Sequence, residues 1–210
     1  MNKMLLKKEM WLPIVALILI GVGVYAFNLN NGLFWDDDDW IVNNNFVHDI
    51  SWVNIKFWFT NNTLAGVGLN SNYYRPFLFL TFALNYVISG IKPFSYHLFS
   101  NFIHIANGVL VFLLLKRLDF GISKGRTLAV AFLTSLFFLI HPLQTEAITY
   151  ISGRGDALTA LFMLLALFLW TNDVARRYDK TVDKRHGVSL YKIGSLLMLV
   201  LAILSRETGI

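Results

Sequence analysis

Five polar segments of this chain carry the residue types that acid–base and phosphate chemistry require. The first is a run of four aspartates, Asp36 to Asp39, flanked by Trp35 and Trp40. A carboxylate can act as a general base on an acceptor hydroxyl, and arginine binds phosphate through a planar fork that is always charged. Together these groups suit a reaction in which a hydroxyl attacks a sugar and a phosphate leaves. The other four segments supply Tyr74, Arg75, His141, Glu146, Arg154, Asp156, Arg206 and Glu207.

The same residues also have structural interpretations, which the sequence leaves open. The aspartate run could be a solvated acidic loop. His141, which precedes Pro142, could cap a helix that ends there. Arg154 and Asp156 could form a pair at the start of a helix, where a carboxylate is favourable because the helix dipole is positive at that end.

A metal site has weaker support than the catalytic interpretation or the structural one. Asp38, Asp39 and His97 are the possible ligands, but they lack a recognised ligand spacing, so no metal site is predicted and a divalent cation stays only a possibility. The chain has no cysteine, which excludes disulfides, thiolate metal sites and cysteine nucleophiles. His97, Asn101, His104 and Gly108 share one helical face, and hydrogen bonding between helices is the preferred interpretation for Asn101 and His104.

These groups must be positioned within a membrane protein. Hydrophobic residues make up 56% of the 210 residues and charged residues 15%, whereas soluble domains average about 45–50% and about 25%. The basic residues fall in short loops between apolar runs, which fits membrane topology better than nucleic-acid binding. The pattern predicts an all-α integral membrane protein. It has about five crossings, near residues 11–27, 96–118, 127–140, 157–170 and 190–204.

Charge asymmetry predicts how these crossings are oriented. With the N-terminus in the cytoplasm, 13 of the 18 lysines and arginines lie on the cytoplasmic side, as the positive-inside rule requires. All five chemically interesting segments then lie on the outer side. The run 11–27 could be a signal peptide, but no small-x-small cleavage site follows it, so an uncleaved helix is preferred.

The outer side has two further predicted features. The loop 28–93 contains two helix-like stretches, 46–59 and 77–88, which suit one or two helices lying in the membrane interface; packing against the crossings is an equal alternative for the second. The third to fifth crossings are short, about 21–22 Å against a hydrocarbon core of about 30 Å. Their outer ends are expected to line a wet pocket, with local bilayer thinning as the alternative.

Four motifs occur in an order that resembles a known enzyme family, the transmembrane and tetratricopeptide-repeat O-mannosyltransferases of the GT-C class. That family has an aromatic-Asp-Asp motif, a Tyr-Arg-Pro motif, a His-Pro-x-(His or Gln)-x-Glu motif followed by Gly-Arg-x-Asp, and a Ser-(Lys or Arg)-Glu-x-Gly motif. The matching residues here are Trp35-Asp36-Asp37, Tyr74-Arg75-Pro76, His141, Pro142, Gln144, Glu146, Gly153, Arg154, Asp156, Ser205, Arg206, Glu207 and Gly209.

The resemblance implies a sugar transferase with a polyprenyl-phosphate-sugar donor, mannose in the first instance, and a Ser or Thr hydroxyl of a protein as acceptor. Asp36 or Asp37 would be the general base. Arg75, Arg154 and Arg206 become candidates for the lipid phosphate on chemical grounds, and Tyr74, His141, Glu146, Asp156 and Glu207 are expected to line the substrate site.

The resemblance also sets expectations for the whole protein. Gln144 favours a bacterial relative. The protein is therefore expected in the bacterial inner membrane rather than in the endoplasmic reticulum. Residues 1–210 would form an N-terminal membrane module, because family members continue through further crossings and tetratricopeptide repeats. Activity of this part alone is therefore in doubt. The alternative is a non-catalytic membrane subunit or scaffold whose acidic outer loop binds a partner or a cation.

Overall fold

The computed structural model describes residues 3–118, 120–178 and 189–209, and these residues form helices and connecting loops without β-strands. The α-helices are α1 (Lys3–Tyr25), α2 (Trp52–Thr60), α3 (Pro76–Ser89), α4 (Pro93–Leu115), α5 (Lys124–Ile140), α6 (Thr145–Thr149), α7 (Arg154–Tyr178) and α8 (Leu190–Ser205). Short 3-10 helices span Ala26–Asn30, Asn45–Val47, Ala65–Val67, Pro142–Gln144 and Glu207–Gly209, and a π-helix spans Asp38–Val42.

The all-α membrane prediction is confirmed by the length and apolar character of the helices. Within the described residues, three helical segments are long and apolar enough to cross a membrane: Met10–Asn30, Pro93–Leu115 and Arg154–Arg176. A fourth crossing is formed only if α5 and the segment Pro142–Thr149, which meet at a 50° bend, are counted as one span. The bend follows from Pro142, which cannot continue the hydrogen bonding of α5. At 16 residues α8 is a shorter apolar helix, so its crossing stays a prediction.

The predicted length of the fourth crossing is wrong. The sequence suggested 157–170, but α7 runs for 25 residues from Arg154 to Tyr178. The polar residues Thr171 and Asn172 do not end the helix, because both accept hydrogen bonds from Arg117 beyond the end of α4. Of the three crossings predicted to be short, only α5 and α8 are, so two helix ends rather than three remain for the predicted wet pocket.

The outer loop contains the two predicted helical regions in modified form. The first is divided into the 3-10 helix Asn45–Val47 and α2, because Ser51 caps α2 by accepting a hydrogen bond from the Asn54 N–H at 3.2 Å. The second agrees with α3, whose inner face is buried in the main core at Leu78, Phe82 and Ala83. Packing against the crossings, the alternative kept open above, is therefore what α3 does.

Polar residues on α4 join this helix to α1 and α5. Asn101 and Asn28 exchange amide hydrogen bonds of 2.8 and 2.9 Å. His104 Nε2 and the Tyr25 hydroxyl both lie within 3.0 Å of the Leu139 carbonyl oxygen. That carbonyl lies near the end of α5 and lacks its usual partner four residues on, because the N–H of Leu143 donates to His141. A buried carbonyl at membrane depth requires such donors. The predicted hydrogen bonding of Asn101 and His104 between helices is confirmed.

Candidate active site

Asp37 is fully buried and fastens the outer loop to the turn that precedes α7. Its Oδ1 accepts hydrogen bonds from the Ser152 N–H at 2.9 Å and the Ser152 hydroxyl at 2.5 Å, and its Oδ2 accepts one from the Phe34 N–H at 3.2 Å. Burial raises the pKa of Asp37, although these hydrogen bonds and the charge of Arg154 act in the opposite direction. The contacts make Asp37 a structural anchor of the aspartate run.

Asp36 lies next to this anchor but faces solvent. Its N–H donates to the Tyr150 hydroxyl at 3.2 Å. Burial and the nearby Asp36 side chain raise the pKa of Tyr150 to about 12, so the hydroxyl keeps its proton at neutral pH and can donate to a carboxylate. Asp36 is therefore an accessible carboxylate with a hydrogen-bond donor beside it.

The backbone around the aspartates has two unusual features. Trp35 has a φ of 53°, which is rare for a bulky residue. Its ring is 80% exposed and packs edge-on against Tyr150, with centroids 6.0 Å apart. The π-helix Asp38–Val42 follows directly. Such strained and π-helical segments occur preferentially at functional sites.

Arg75 connects the aspartate run to the segment after α8. It lies at the start of α3, is 7% exposed, and its guanidinium lies 5.4 Å from the Trp40 ring centre. Its Nε and Nη2 donate to the Glu207 carboxylate at 2.8–3.1 Å, and the Tyr74 N–H donates to the same carboxylate at 3.1 Å. Burial alone would raise the pKa of Glu207, but the bonds and charge of Arg75 outweigh it and lower that pKa.

A second ion pair lies beside the first. Arg206 donates through Nη1 to the Asp156 carboxylate, and both side chains are partly exposed. The charges of Arg75 and Glu146 also act on this carboxylate. Charged side chains from α3, α6, α7 and the segment after α8 therefore meet in one region. Glu146 is exposed on α6. Arg206 is the most accessible of the three arginines proposed for phosphate.

Arg154, the remaining predicted phosphate ligand, is completely buried. Its guanidinium donates to the Ser100 and Thr81 hydroxyls, to the Asn85 side chain at 2.7 Å and to the Tyr96 carbonyl at 2.9 Å. These partners are neutral and come from α3 and α4. The structure therefore places Arg154 inside the helix packing, away from any phosphate bound at the outer surface.

The predicted histidines do not join the charged region through hydrogen bonds. His141 Nδ1 accepts from the Leu143 N–H at 3.2 Å, so its side chain caps the start of the 3-10 helix Pro142–Gln144 rather than the end of α5, the capping role suggested by the sequence. His97 is fully buried on α4, whereas Asp38 is exposed and Asp39 partly so. Among the described residues, no three or more His, Asp or Glu side chains group closely enough to hold a metal ion.

Sequence reasoning did not single out Tyr150, the partner of Asp36, and placed Ser152, the partner of Asp37, in the candidate segment 152–156 without giving it a role. Each is separated from its aspartate by 114 or 115 positions, so no local pattern connects the two. The only sequence feature that could have pointed to these two residues was their position just before Arg154. Trp40 was noted only as a flanking residue, although it packs against Arg75.

Comparison with known proteins gives a consistent set of relatives. Human protein O-mannosyl-transferase TMTC1 is 32% identical over 206 residues, covering 93% of this chain and 22% of the relative. Human TMTC4 is 30% identical over 213 residues, with 94% of this chain and 28% of the relative covered. The chain is homologous to the protein O-mannosyl-transferases TMTC1 to TMTC4. This homology supports the family resemblance drawn from the four motifs.

The relatives also limit what can be transferred. The chain spans only 22% of the length of TMTC1 and 28% of the length of TMTC4. The matching TMTC proteins are from human and mouse, so the expectation of a bacterial protein in a bacterial inner membrane is not supported. No family model matches the chain. No solved structure matches it either.

Proposed function

We propose that residues 1–210 form the N-terminal membrane module of a glycosyltransferase that moves mannose from a polyprenyl-phosphate donor to a Ser or Thr hydroxyl of a protein. The main support is the similarity to TMTC O-mannosyl-transferases over 93% of the chain. The charged region at the outer helix ends supplies accessible carboxylates and guanidinium groups, as this chemistry requires. The reaction would take place on the outer or luminal face.

Asp36 is our candidate for the general base. It is the exposed member of the Asp36–Asp37 pair, and its neighbour is committed to Ser152 and Phe34. A general base must come within hydrogen-bond reach of the proton that it removes, which solvent exposure allows for Asp36. Asp37 then acts as a positioning residue that holds Asp36 through the backbone.

Arg206 is our first candidate for binding the donor phosphate, and Arg75 is the second. Arg206 is bound to a single carboxylate and remains partly exposed, whereas both carboxylate oxygens of Glu207 engage Arg75. A bound phosphate would replace Asp156 as the partner of Arg206. Glu146 and Tyr74 border the same region, and Arg154 supports it from inside by holding α3 and α4 to the start of α7.

The proposed step is a single displacement. The acceptor oxygen forms a bond to the anomeric carbon of the sugar while the bond from that carbon to the phosphate oxygen breaks. The acceptor proton moves to Asp36, and the electron pair leaves with the phosphate, whose charge an arginine stabilises. One direct attack inverts the anomeric centre, so a product with retained configuration would exclude this mechanism.

The function is tested with purified complete protein that carries this module. Reconstituted protein should transfer radiolabelled mannose from a polyprenyl phosphate to a Ser/Thr-rich peptide, and should not use a nucleotide-linked mannose. A non-catalytic scaffold is the alternative, because every ionic group of the Arg75–Glu207 and Arg206–Asp156 pairs already has a partner. A scaffold would bind a partner through the acidic loop without transferring sugar from either donor.

A further inference from the structure

A second concave surface lies at the opposite end of the molecule from the candidate active site. A groove of about 870 Å³ runs between the last turns of α4 and α7. Its walls are mainly apolar and include Leu114, Leu118, Leu164, Leu167, Trp170 and Val174. Leu167 is 47% exposed and Trp170 is 53% exposed, so the groove presents an apolar wall outward. Its apolar lining suits hydrocarbon chains rather than a water-soluble metabolite.

One end of the groove carries a cationic group. Arg117 lies two residues beyond the end of α4 and donates through Nη1 to the side chains of Asn172 at 3.1 Å and Thr171 at 3.4 Å. Its guanidinium lies 3.9 Å from the ring centre of Phe168. These contacts with neutral groups orient the guanidinium, and the donors on its other nitrogens can still bind an oxyanion.

Lys116, the preceding residue, adds a second positive charge close by, although its side chain does not line the groove. Burial, together with the charge of Arg117, lowers the pKa of Lys116. Two neighbouring cations favour an anion beside them, because an anion offsets their mutual repulsion. The polar end of the groove is therefore complementary to a negative charge.

The location of the groove indicates where that anion comes from. The segment after α4 and the end of α7 belong to the side that carries 13 of the 18 basic residues, the expected cytoplasmic side. The cytoplasmic leaflet contains anionic lipids that bind basic groups at the membrane surface. Trp170 lies near the end of the span Arg154–Arg176, at a depth where tryptophan is favoured beside headgroups.

We propose that this groove binds an anionic phospholipid of the cytoplasmic leaflet, with the headgroup phosphate on Arg117 and an acyl chain against Leu118, Leu167 and Trp170. The site is separate from the proposed glycosyl transfer and does not depend on it. A neutral lipid would satisfy the walls of the groove but not its cationic end, and a free phosphate would satisfy only that end.

The test measures lipid retention by native mass spectrometry of the protein purified in detergent. Phosphatidylglycerol and phosphatidylcholine with identical acyl chains are added at matched concentrations. The unmodified protein should retain phosphatidylglycerol in preference to phosphatidylcholine. Arg117→Gln should reduce phosphatidylglycerol retention by about fivefold, the effect of one basic group near a membrane surface, and should leave phosphatidylcholine retention unchanged.

Arg126→Gln is the matched control, because Arg126 is exposed on the first turns of α5 on the same side of the membrane and lies outside the groove. It removes the same charge and should have no effect on retention. Ala175→Phe fills the groove without changing any charge and should reduce the retention of both lipids.

Three outcomes would overturn the proposal. The first is equal retention of both lipids by the unmodified protein. The second is an equal loss for Arg117→Gln and Arg126→Gln, which would show diffuse attraction to positive charge. The third is competition by water-soluble glycerophosphoglycerol as strong as that of the intact lipid, which would show that the groove contributes nothing. Unchanged thermal unfolding of each variant in detergent establishes that the losses arise at the site.

Discussion

At the scale of single residues, the aspartate run divides into carboxylates with different roles. Asp36 is exposed beside Tyr150, Asp37 is buried against Ser152, and Asp38 is exposed. The sequence predicted that the run contains the base but could not choose a member, because the burial of each carboxylate depends on partners more than 100 positions away. Local composition does not carry this information.

Replacing Asp36 tests its proposed role as the base. Asp36→Asn should lower the rate of transfer by about 10²- to 10⁴-fold, the usual contribution of a general base, while thermal unfolding stays unchanged because the side chain is exposed. Transfer is measured with the complete protein and a polyprenyl-phosphate donor. Asp38→Asn is the control and should keep most of the activity. Full activity in Asp36→Asn would remove Asp36 from the mechanism.

The anchoring role of Asp37 predicts a loss of stability instead. Asp37→Ala leaves the buried N–H and hydroxyl of Ser152 without their acceptor, and each such group costs about 1–3 kcal/mol. Ser152→Ala removes only the hydroxyl bond and should cost less. The double mutant should show a coupling of about 1–3 kcal/mol between the two side chains.

This coupling is measured by reversible unfolding in mixed detergent micelles. Asp38→Ala serves as a control on an exposed neighbour, for which a change within about 0.5 kcal/mol is expected. Additive single-mutant effects would mean that the Asp37–Ser152 contact does not stabilise the fold. Loss of transfer in Asp37→Asn with normal stability would instead favour Asp37 as the base.

At the scale of elements, close packing of α6 against the start of α7 brings Tyr150 and Ser152 to the aspartates. Gly153 allows this approach, since a Cβ there would lie 2.6 Å from the Glu146 carbonyl oxygen and 3.1 Å from that of Tyr150. Backbone atoms at such distances cannot rotate away as a side chain would. The turn 150–153 therefore depends on glycine at this position.

Gly153→Ala should accordingly separate α6 from α7 and displace both aspartate partners. We expect a loss of about 1–3 kcal/mol in stability from overpacking together with reduced transfer. Gly125→Ala is the matched control, because a Cβ at Gly125 in α5 would meet nothing within 4 Å, and alanine is favoured in a helix. Its stability should stay equal or rise slightly. Equal effects of the two substitutions would contradict the packing argument.

The elements themselves were largely predictable, because apolar runs of membrane length are a strong signal. The beginning of α4 at Pro93 and the end of α5 at Ile140 lie within a few residues of the predicted bounds. The length of α7 was missed, since Thr171 and Asn172 read as the end of a crossing. Their hydrogen bonds with Arg117 connect different helices and are invisible in a local pattern.

At the scale of the whole molecule, the two ends of the helix bundle differ in chemistry. The end predicted to face outward holds the aspartate run and the Arg75–Glu207 and Arg206–Asp156 pairs, and the opposite end holds Arg117 beside an apolar groove. The sequence predicted this polarity from charge counts alone, because the positive-inside bias is a property of the chain as a whole. Which charges pair with one another required the packed structure.

The orientation can be tested directly because the chain has no cysteine of its own. Single cysteines are introduced at Asn70 in the outer loop and at Ser123 in the loop before α5, two positions that are exposed. In sealed right-side-out membrane vesicles, a membrane-impermeant maleimide should label Asn70→Cys at once and Ser123→Cys only after permeabilisation. Both should label fully in detergent. The reverse pattern would place the aspartates and the ion pairs in the cytoplasm, where they could not serve transfer on the outer or luminal face, and would place the Arg117 groove on the outer leaflet.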